Sequence, residues 1–256
     1  MSDFRQSDRF AGTRRLFGDE GLARLGNAHV AVIGIGGVGS WAVETLARTG
    51  IGNLTLIDGD VVVESNINRQ IQALDSSLGK PKVDALAERI AQINSMCHVR
   101  AVQDFVKPEN LDQLVGNIPF DFVIDAIDSV RDKTALIAYC REKAIPLLTV
   151  GSAGGQMDPT KIDICDLSRT QQEPLLAKVR KRLRSQYGFT RNPKNKFGID
   201  AVYSLEPVKY PESANPDSGT EIPGLNPAGF GTTMAVTAGF GLAAASYVLR
   251  RIVSPD

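Results

Sequence analysis

Histidine and tryptophan are scarce in this 256-residue chain, at two and one copies, and cysteine is little commoner at three. Cys97, Cys140 and Cys165 stand far apart without a C-x-x-C pair. That excludes a disulfide framework and a cysteine zinc site, and it suits a reducing compartment. Net charge is also missing, since 29 basic side chains balance 29 acidic ones. No global field therefore draws the chain to nucleic acid or membrane, and any such preference must come from a local patch. The first residues, MSDFRQSDRFAGTRR, hold no apolar core, so no secretory signal is expected and a cytoplasmic location is. There is no internal repeat and no low-complexity tract.

Long apolar runs are absent but for one. Residues 228–249, AGFGTTMAVTAGFGLAAASYVL, carry no charge, and about 20 such residues can cross a bilayer. Gly, Ala, Thr and Ser dominate the run rather than Leu and Ile, which gives little transfer energy into lipid but lets backbones approach closely. A buried helix, inside the protein or at a subunit interface, is the favoured reading. Peripheral or single-span membrane contact is the alternative.

What is present is an alternation. HVAVIG (29–34), NLTLID (53–58), HVRAVQ (98–103), FDFVIDA (120–126) and IPLLTV (145–150) are short apolar or β-branched runs bounded by turn formers. Helices are expected over 39–49, 81–94, 108–115 and 129–143, the last starting at a Ser129 cap. The pattern predicts an α/β fold: a Rossmann-like, doubly wound, mostly parallel sheet with helices on both faces and a C-terminal extension. Residues 1–150 read as a nucleotide-binding unit. Residues 151–256 read as substrate-facing additions to the same sheet, with a short strand near KIDIC, an amphipathic helix at PLLAKVRKRLRSQYG, a strand-like AVYSLEPV and a loop-rich stretch over 194–231.

The first strand runs into Gly34-x-Gly36-Gly37-x-Gly39. Glycines here permit a tight turn, close backbone approach to phosphate and packing of the following helix, whose amide end faces the anion. Asp58 ends the next strand, where a carboxylate accepts hydrogen bonds from ribose hydroxyls. Taken alone, this fits an NAD oxidoreductase as well as any other nucleotide enzyme. Asn66, Asn68, Arg69, Gln70 and Lys82 then follow closely. A triphosphate carries more charge than a dinucleotide's pyrophosphate and benefits from such cations. Asp125 and Asp128, in VIDAIDS, are both able to meet a magnesium ion that bridges phosphates; either can instead cap the next helix, and Asp128 is the preferred ligand.

These residues resemble a known family. GxGGVGS (34–40), GIGNLTLID-x-D (50–60), N-x-NRQ (66–70), GKPK (79–82) and D-x-x-D (125–128) are similar to the adenylating domain shared by ubiquitin-activating enzymes and the bacterial activators of sulfur-carrier proteins. The resemblance implies ATP and Mg²⁺ as cofactors and adenylation of a carboxylate with release of pyrophosphate. It implies that Asp58 binds ribose, that Asn66, Arg69 and Lys82 contact phosphate, and that Asp128 binds magnesium. Only Cys165 lies beyond residue 150, whereas the carrier activators bear paired C-x-x-C motifs and a catalytic cysteine there. VIDAIDSVRDKTALIAYC, GSAGGQMDPT and GFGTTMAVTAGFGLAAA instead resemble the tRNA threonylcarbamoyladenosine dehydratases, which activate the threonyl carboxylate of a modified adenosine beside the anticodon so that ring closure expels AMP. A carrier-protein activator, and more remotely an NAD oxidoreductase, are the alternatives.

Family members often place Arg-Phe/Tyr-x-Arg near the N-terminus, the second arginine reaching a partner subunit's ATP site. This chain has Gly12 at that position, leaving Arg14 and Arg15 as substitutes. A homodimer is expected on that ground, and sulfur-transfer proteins are further partners the resemblance allows. For tRNA, residues 169–196 hold nine Lys or Arg against the single acid Glu173. Lys178, Arg180, Lys181, Arg182, Arg184 and Arg191 are the expected phosphate contacts, with Tyr187 and Phe189 available to stack on an unpaired base.

Overall fold

The computed structural model describes residues 8–210 and 230–254. Residues 211–229, which include most of the loop-rich stretch after Pro207 and the first two residues of the apolar run, lie outside them. Seven strands form one sheet: β1 (His29–Ile33), β2 (Asn53–Ile57), β3 (His98–Val102), β4 (Phe122–Asp125), β5 (Leu147–Val150), β6 (Ile162–Asp166) and β7 (Asp200–Ser204). Their order is β3-β2-β1-β4-β5-β7-β6. All neighbours are parallel except β6, which runs antiparallel to β7 at the edge. The expected sheet is therefore present, and β6 and β7 extend it beyond residue 150.

Side-chain alternation assigns the two faces. Val30 and Val32 of β1 join a core with Leu54, Leu56, Ile124 and Val202, whereas Ala31 and Ile33 join a second core with Ile57, Val123 and Ala201. The first core is covered by α1 (Ala11–Asn27), α2 (Gly39–Thr49), α3 (Lys82–Ile93) and α6 (Met234–Val253). The second is covered by α4 (Val130–Glu142) and α5 (Pro174–Gln186). Apolar side chains buried on both faces explain why these strands read as nearly continuous apolar runs.

Three elements differ from expectation. The helix expected at 108–115 is a 3-10 turn, Pro108–Asn110, followed by a π turn, Asp112–Gly116. Asn110 accepts the Lys107 amide at 2.8 Å, a local bond that favours a tight turn over a regular helix. Helix α1 had no sequence signature because it buries only Gly21, Leu22 and Leu25 and breaks at Gly18, so no apolar stripe of helical period develops. The apolar run is helical only from Met234, and that helix continues through Arg250 and Arg251 to Val253. It is the one described helix long and apolar enough to cross a membrane, and half of its most apolar stretch is buried inside the fold. Its small residues bring it onto α2, where Gly241 lies against Val38 and Trp41.

Candidate active site

Between β1 and β4 the chain reverses its winding direction, which opens a crevice at the carboxyl ends of the strands. A cavity of about 410 Å³ fills it, lined by Gly34, Gly36, Gly37, Asp58, Asn66, Arg69, Lys82 and Asp128 together. Sequence positions spread over nearly 100 residues thus share one wall. Gly34 adopts φ 87°, and a Cβ there would lie 2.7 Å from the Ala126 carbonyl oxygen. A Cβ on Gly39 would lie 1.9 Å from the Gly34 carbonyl oxygen, so this glycine seats α2 against the turn and does not itself line the cavity. Gly36 faces open space, where a ligand's phosphates can approach the backbone.

Asp58 is fixed before any ligand binds. Its Oδ2 accepts the Ile35 amide at 2.6 Å and its Oδ1 accepts the Asp60 amide at 2.8 Å. Burial pushes its pKa above the usual carboxylate range, opposed by the positive charge of Lys82 and by these two amides. Lys82, the first residue of α3, is buried along its stem and places its ammonium 2.7 Å from Asp60 Oδ2. Arg69 lies over Gly37, and its Nη1 donates to the Ser65 carbonyl at 2.8 Å and to Asn68 Oδ1 at 2.9 Å. The Trp41 indole donates to the Arg69 carbonyl at 2.9 Å, which anchors the backbone of the arginine to α2. Asn66 is buried and accepts the Val63 amide at 3.3 Å.

The two aspartates of VIDAIDS separate cleanly. Asp125 is fully buried, takes a hydrogen bond from Thr149 Oγ1 at 2.8 Å and pairs with the equally buried Lys133 at 3.1 Å. Burial raises its pKa, the Lys133 charge opposes the rise, and no part of it reaches the cavity. The Lys133 ammonium also donates to the carbonyls of Asp125 and Ile127, each at 3.1 Å, and so pins the loop that presents Asp128. Asp128 is exposed on the cavity wall. It does not cap the following helix, because Ser129 accepts the Asp132 amide at 3.4 Å. No group of three His, Cys, Asp or Glu with metal-ligand spacing occurs among the described residues. A cation at Asp128 would draw most of its ligands from phosphate and water, the mode Mg²⁺ adopts, so the donor set fits.

The cavity lining also contains residues that sequence reasoning missed: Gly151, Ser152, Leu175, Thr232 and Thr237. Ser152 follows β5, and both its amide and its hydroxyl bond to Oε1 of the buried Glu173, at 2.8 and 2.7 Å. The other oxygen of Glu173 accepts the Leu176 amide at 2.5 Å and caps α5. Phe105 and Lys107, after β3, line the far end beside Asp58. Gly151, Ser152, Thr232 and Thr237 fall within GSAGGQMDPT and GFGTTMAVTAGFGLAAA, but the resemblance of those stretches assigns none of them a role. Only their place after a strand's carboxyl end, the rule that located Asp58, could have found Ser152 and Phe105.

Other expected residues lie elsewhere. Arg14 and Arg15 are exposed on α1 and do not line this cavity. Within the basic segment, Lys178, Lys181 and Arg191 are exposed, while Arg180, Arg182 and Arg184 are half-buried. Arg180 bonds Thr170, and Arg184 packs 5.2 Å over the Phe197 ring. Phe189 is not available for base stacking: it is buried edge-on against Phe197, with the Arg141 guanidinium 4.2 Å from its ring centre. Tyr187 is partly exposed. Burial pushes the Cys97 and Cys140 thiols up to about 12, so neither is a thiolate near neutral pH.

Comparison with known proteins identifies the family. The model of the ThiF family matches residues 10–254. The tRNA threonylcarbamoyladenosine dehydratase of Escherichia coli is 50% identical over 252 residues, which cover 96% of this chain and 94% of that protein. Its counterpart in Haemophilus influenzae is also 50% identical, covering 96% and 93%. The crystal structure of the E. coli enzyme in complex with ATP superimposes with a TM-score of 0.87 at 50% identity, covering 96% of both chains. The family match spans the sheet and both helical layers, and the chain belongs to the ThiF family.

Proposed function

We propose that this protein is an ATP-dependent tRNA threonylcarbamoyladenosine dehydratase: it adenylates the threonyl carboxylate of the modified adenosine and closes the ring with loss of AMP. The observation that carries the reading is the convergence of the β1–α2 turn, Asp58, Asn66, Arg69, Lys82 and Asp128 on one cavity. Near-full-length similarity to dehydratases, one of them crystallised with ATP and with AMP, supports it. The carrier-activator alternative rests on relatives such as the H. influenzae molybdopterin-synthase adenylyltransferase, whose match covers only 51% of this chain.

In this reading the ATP phosphates rest on the amides of the glycine turn and the N-terminal end of α2, and Asp58 accepts from the ribose hydroxyls. Arg69 and Lys82 stabilise the charge that builds on the departing pyrophosphate. Lys82 exchanges Asp60 for phosphate, which costs little because Asp60 is half exposed and returns to water. Asn66 donates its amide nitrogen to phosphate while its oxygen stays committed to Val63. Asp128 would hold a magnesium ion, which would supply neutralisation of phosphate charge. The substrate carboxylate then meets the α-phosphorus from the side of Ser152, and the acyl adenylate carries AMP as a good leaving group.

The partners follow from the same reading. The exposed Lys178, Lys181 and Arg191 hold tRNA phosphates, Arg180, Arg182 and Arg184 stiffen that surface from within, and the protein works in the cytoplasm. A homodimer gives Arg14 or Arg15 a route to the second copy's phosphates, an effect of about 10³ in rate for arginines of this kind. Sulfur-transfer proteins are accessory partners only, since the raised pKa of the half-buried Cys97 and the buried Cys140 suits neither thiol to carrying sulfur.

Isotope exchange tests the first step. Labelled pyrophosphate should enter ATP only when tRNA bearing threonylcarbamoyladenosine is present; exchange driven instead by a small protein ending in Gly-Gly would favour the carrier activator.

A further inference from the structure

The residues proposed above account for adenylation, yet ring closure makes its own chemical demand. Whichever urea atom of the threonylcarbamoyl group attacks the activated carboxyl, oxygen or nitrogen, one urea N–H proton must leave before a neutral ring results. That proton needs an acceptor; among the carboxylates lining the cavity, Asp58 accepts two amides, Asp132 bonds the Ser129 hydroxyl and, in the dehydratase reading, Asp128 holds magnesium.

Ser152 is built to accept. An ionised carboxylate has no hydrogen to give, so in the 2.7 Å contact with Glu173 the serine hydroxyl must be the donor. Its proton points to Oε1, and its lone pairs are left for the cavity that Ser152 lines. Glu173 is only 5% exposed, and Gly151 packs directly on its side chain, with a Cβ there falling 2.8 Å from Glu173 Cγ. The carboxylate is thus shielded from water, held rigid by the Ser152 amide and the Leu176 amide, and linked to the cavity through one hydroxyl. A helix cap alone needs only the bond to Leu176; the pair of bonds to Ser152 is extra.

We propose that Ser152 and Glu173 form a proton relay for ring closure, an inference that rests on the dehydratase reading. The new bond joins the urea oxygen or nitrogen to the acyl carbon, and the bond from that carbon to the AMP oxygen breaks, its electron pair leaving with AMP. The urea proton passes to Ser152 Oγ as the serine proton passes to Glu173 Oε1. Protonated Glu173 later returns the proton to solvent by the same path. Ser152 is the catalytic group here, and Glu173 acts through it as the positioning residue.

The test measures AMP released and nucleoside dehydrated in the same reaction, with the full-length protein, ATP, Mg²⁺ and tRNA bearing threonylcarbamoyladenosine. Ser152→Ala removes the relay but keeps the Ser152 amide bond and the α5 cap. Dehydration should fall by about 100-fold, the lower range for a lost general base. Pyrophosphate exchange should persist, and AMP per dehydrated nucleoside should rise well above one as the stranded acyl adenylate is hydrolysed. Glu173→Gln, where it folds, should show the same uncoupling, and its failure to fold leaves the Ser152→Ala result decisive. Equal loss of exchange and dehydration, or unchanged dehydration, in Ser152→Ala would overturn the relay. If the unmodified protein itself gives neither exchange nor dehydration, the dehydratase reading fails instead.

Discussion

The two walls of the cavity solve different problems. The wall made by the β1–α2 turn, β2 and the 64–82 segment is built for charge: backbone amides, Arg69 and Lys82 face a space bounded by glycines. Its polar contacts are partly exposed and exchangeable, as Lys82 and Asp60 illustrate. The part lined from β5 and α5 presents the Ser152 hydroxyl and an apolar Leu175, and its one charge, Glu173, is withdrawn behind Ser152. A site that must bind a highly charged nucleotide and then let a neutral ring form has reason to keep its cations on one side only. On the proposed reading, the difference divides the work: the first wall serves adenylation and the second the fate of the acyl adenylate.

The sharpest way to break this division is to remove charge from the nucleotide side, from Arg69 of the first wall or from Asp128 after β4. Arg69→Ala or Asp128→Ala should lower AMP formation by about 10³ or more in a discontinuous nucleotide assay, with an unchanged circular-dichroism spectrum. Full activity in either variant would remove that residue from the site. Beneath both walls lies the Asp125–Lys133 pair. Lys133→Met leaves a carboxylate buried without its partner and should cost about 3–5 kcal/mol in denaturant unfolding, the range for breaking a buried pair. A loss under 1 kcal/mol would mean that the pair adds little to its surroundings.

A smaller effect concerns pH. Asp58 has a raised pKa in the folded protein, so its ionised form is the disfavoured one and appears only as pH rises past the usual carboxylate range. ATP affinity, measured by calorimetry, should therefore strengthen with pH across that window and weaken as Asp58 takes up a proton. Asp58→Asn should flatten the dependence. The smallest effect belongs to the surface. Replacing both Lys178 and Lys181 by Ala should raise KM for tRNA and reduce the slope of log affinity against log salt by about 1–2, leaving KM for ATP unchanged.

The first wall was legible in the sequence, and the second was not. Gly34, Asp58, Arg69 and Lys82 belong to short motifs whose function dictates residue type and spacing, and Asp58 follows its strand directly. Ser152 and Glu173 are 21 residues apart and meet only because α5 packs back across the end of β5. Thr232 and Thr237 arrive from the other end of the chain. The fold was similarly uneven. Buried strands announced themselves through apolar runs, whereas α1 buries too little to leave a pattern, and Phe189 looked like a stacking residue until the fold paired it with Phe197. Choosing Asp128 over Asp125 needed no geometry beyond distance from the strand; the structure adds the reason, a lysine that claims Asp125 entirely.

Mass spectrometry of the nucleoside provides the most direct measurement. The protein is incubated with ATP, magnesium and tRNA carrying threonylcarbamoyladenosine, and the tRNA is then digested. The modified nucleoside should lose the mass of one water in step with the appearance of AMP and pyrophosphate. An unchanged nucleoside with no AMP formed would contradict the assignment of this cavity to carboxylate activation on tRNA.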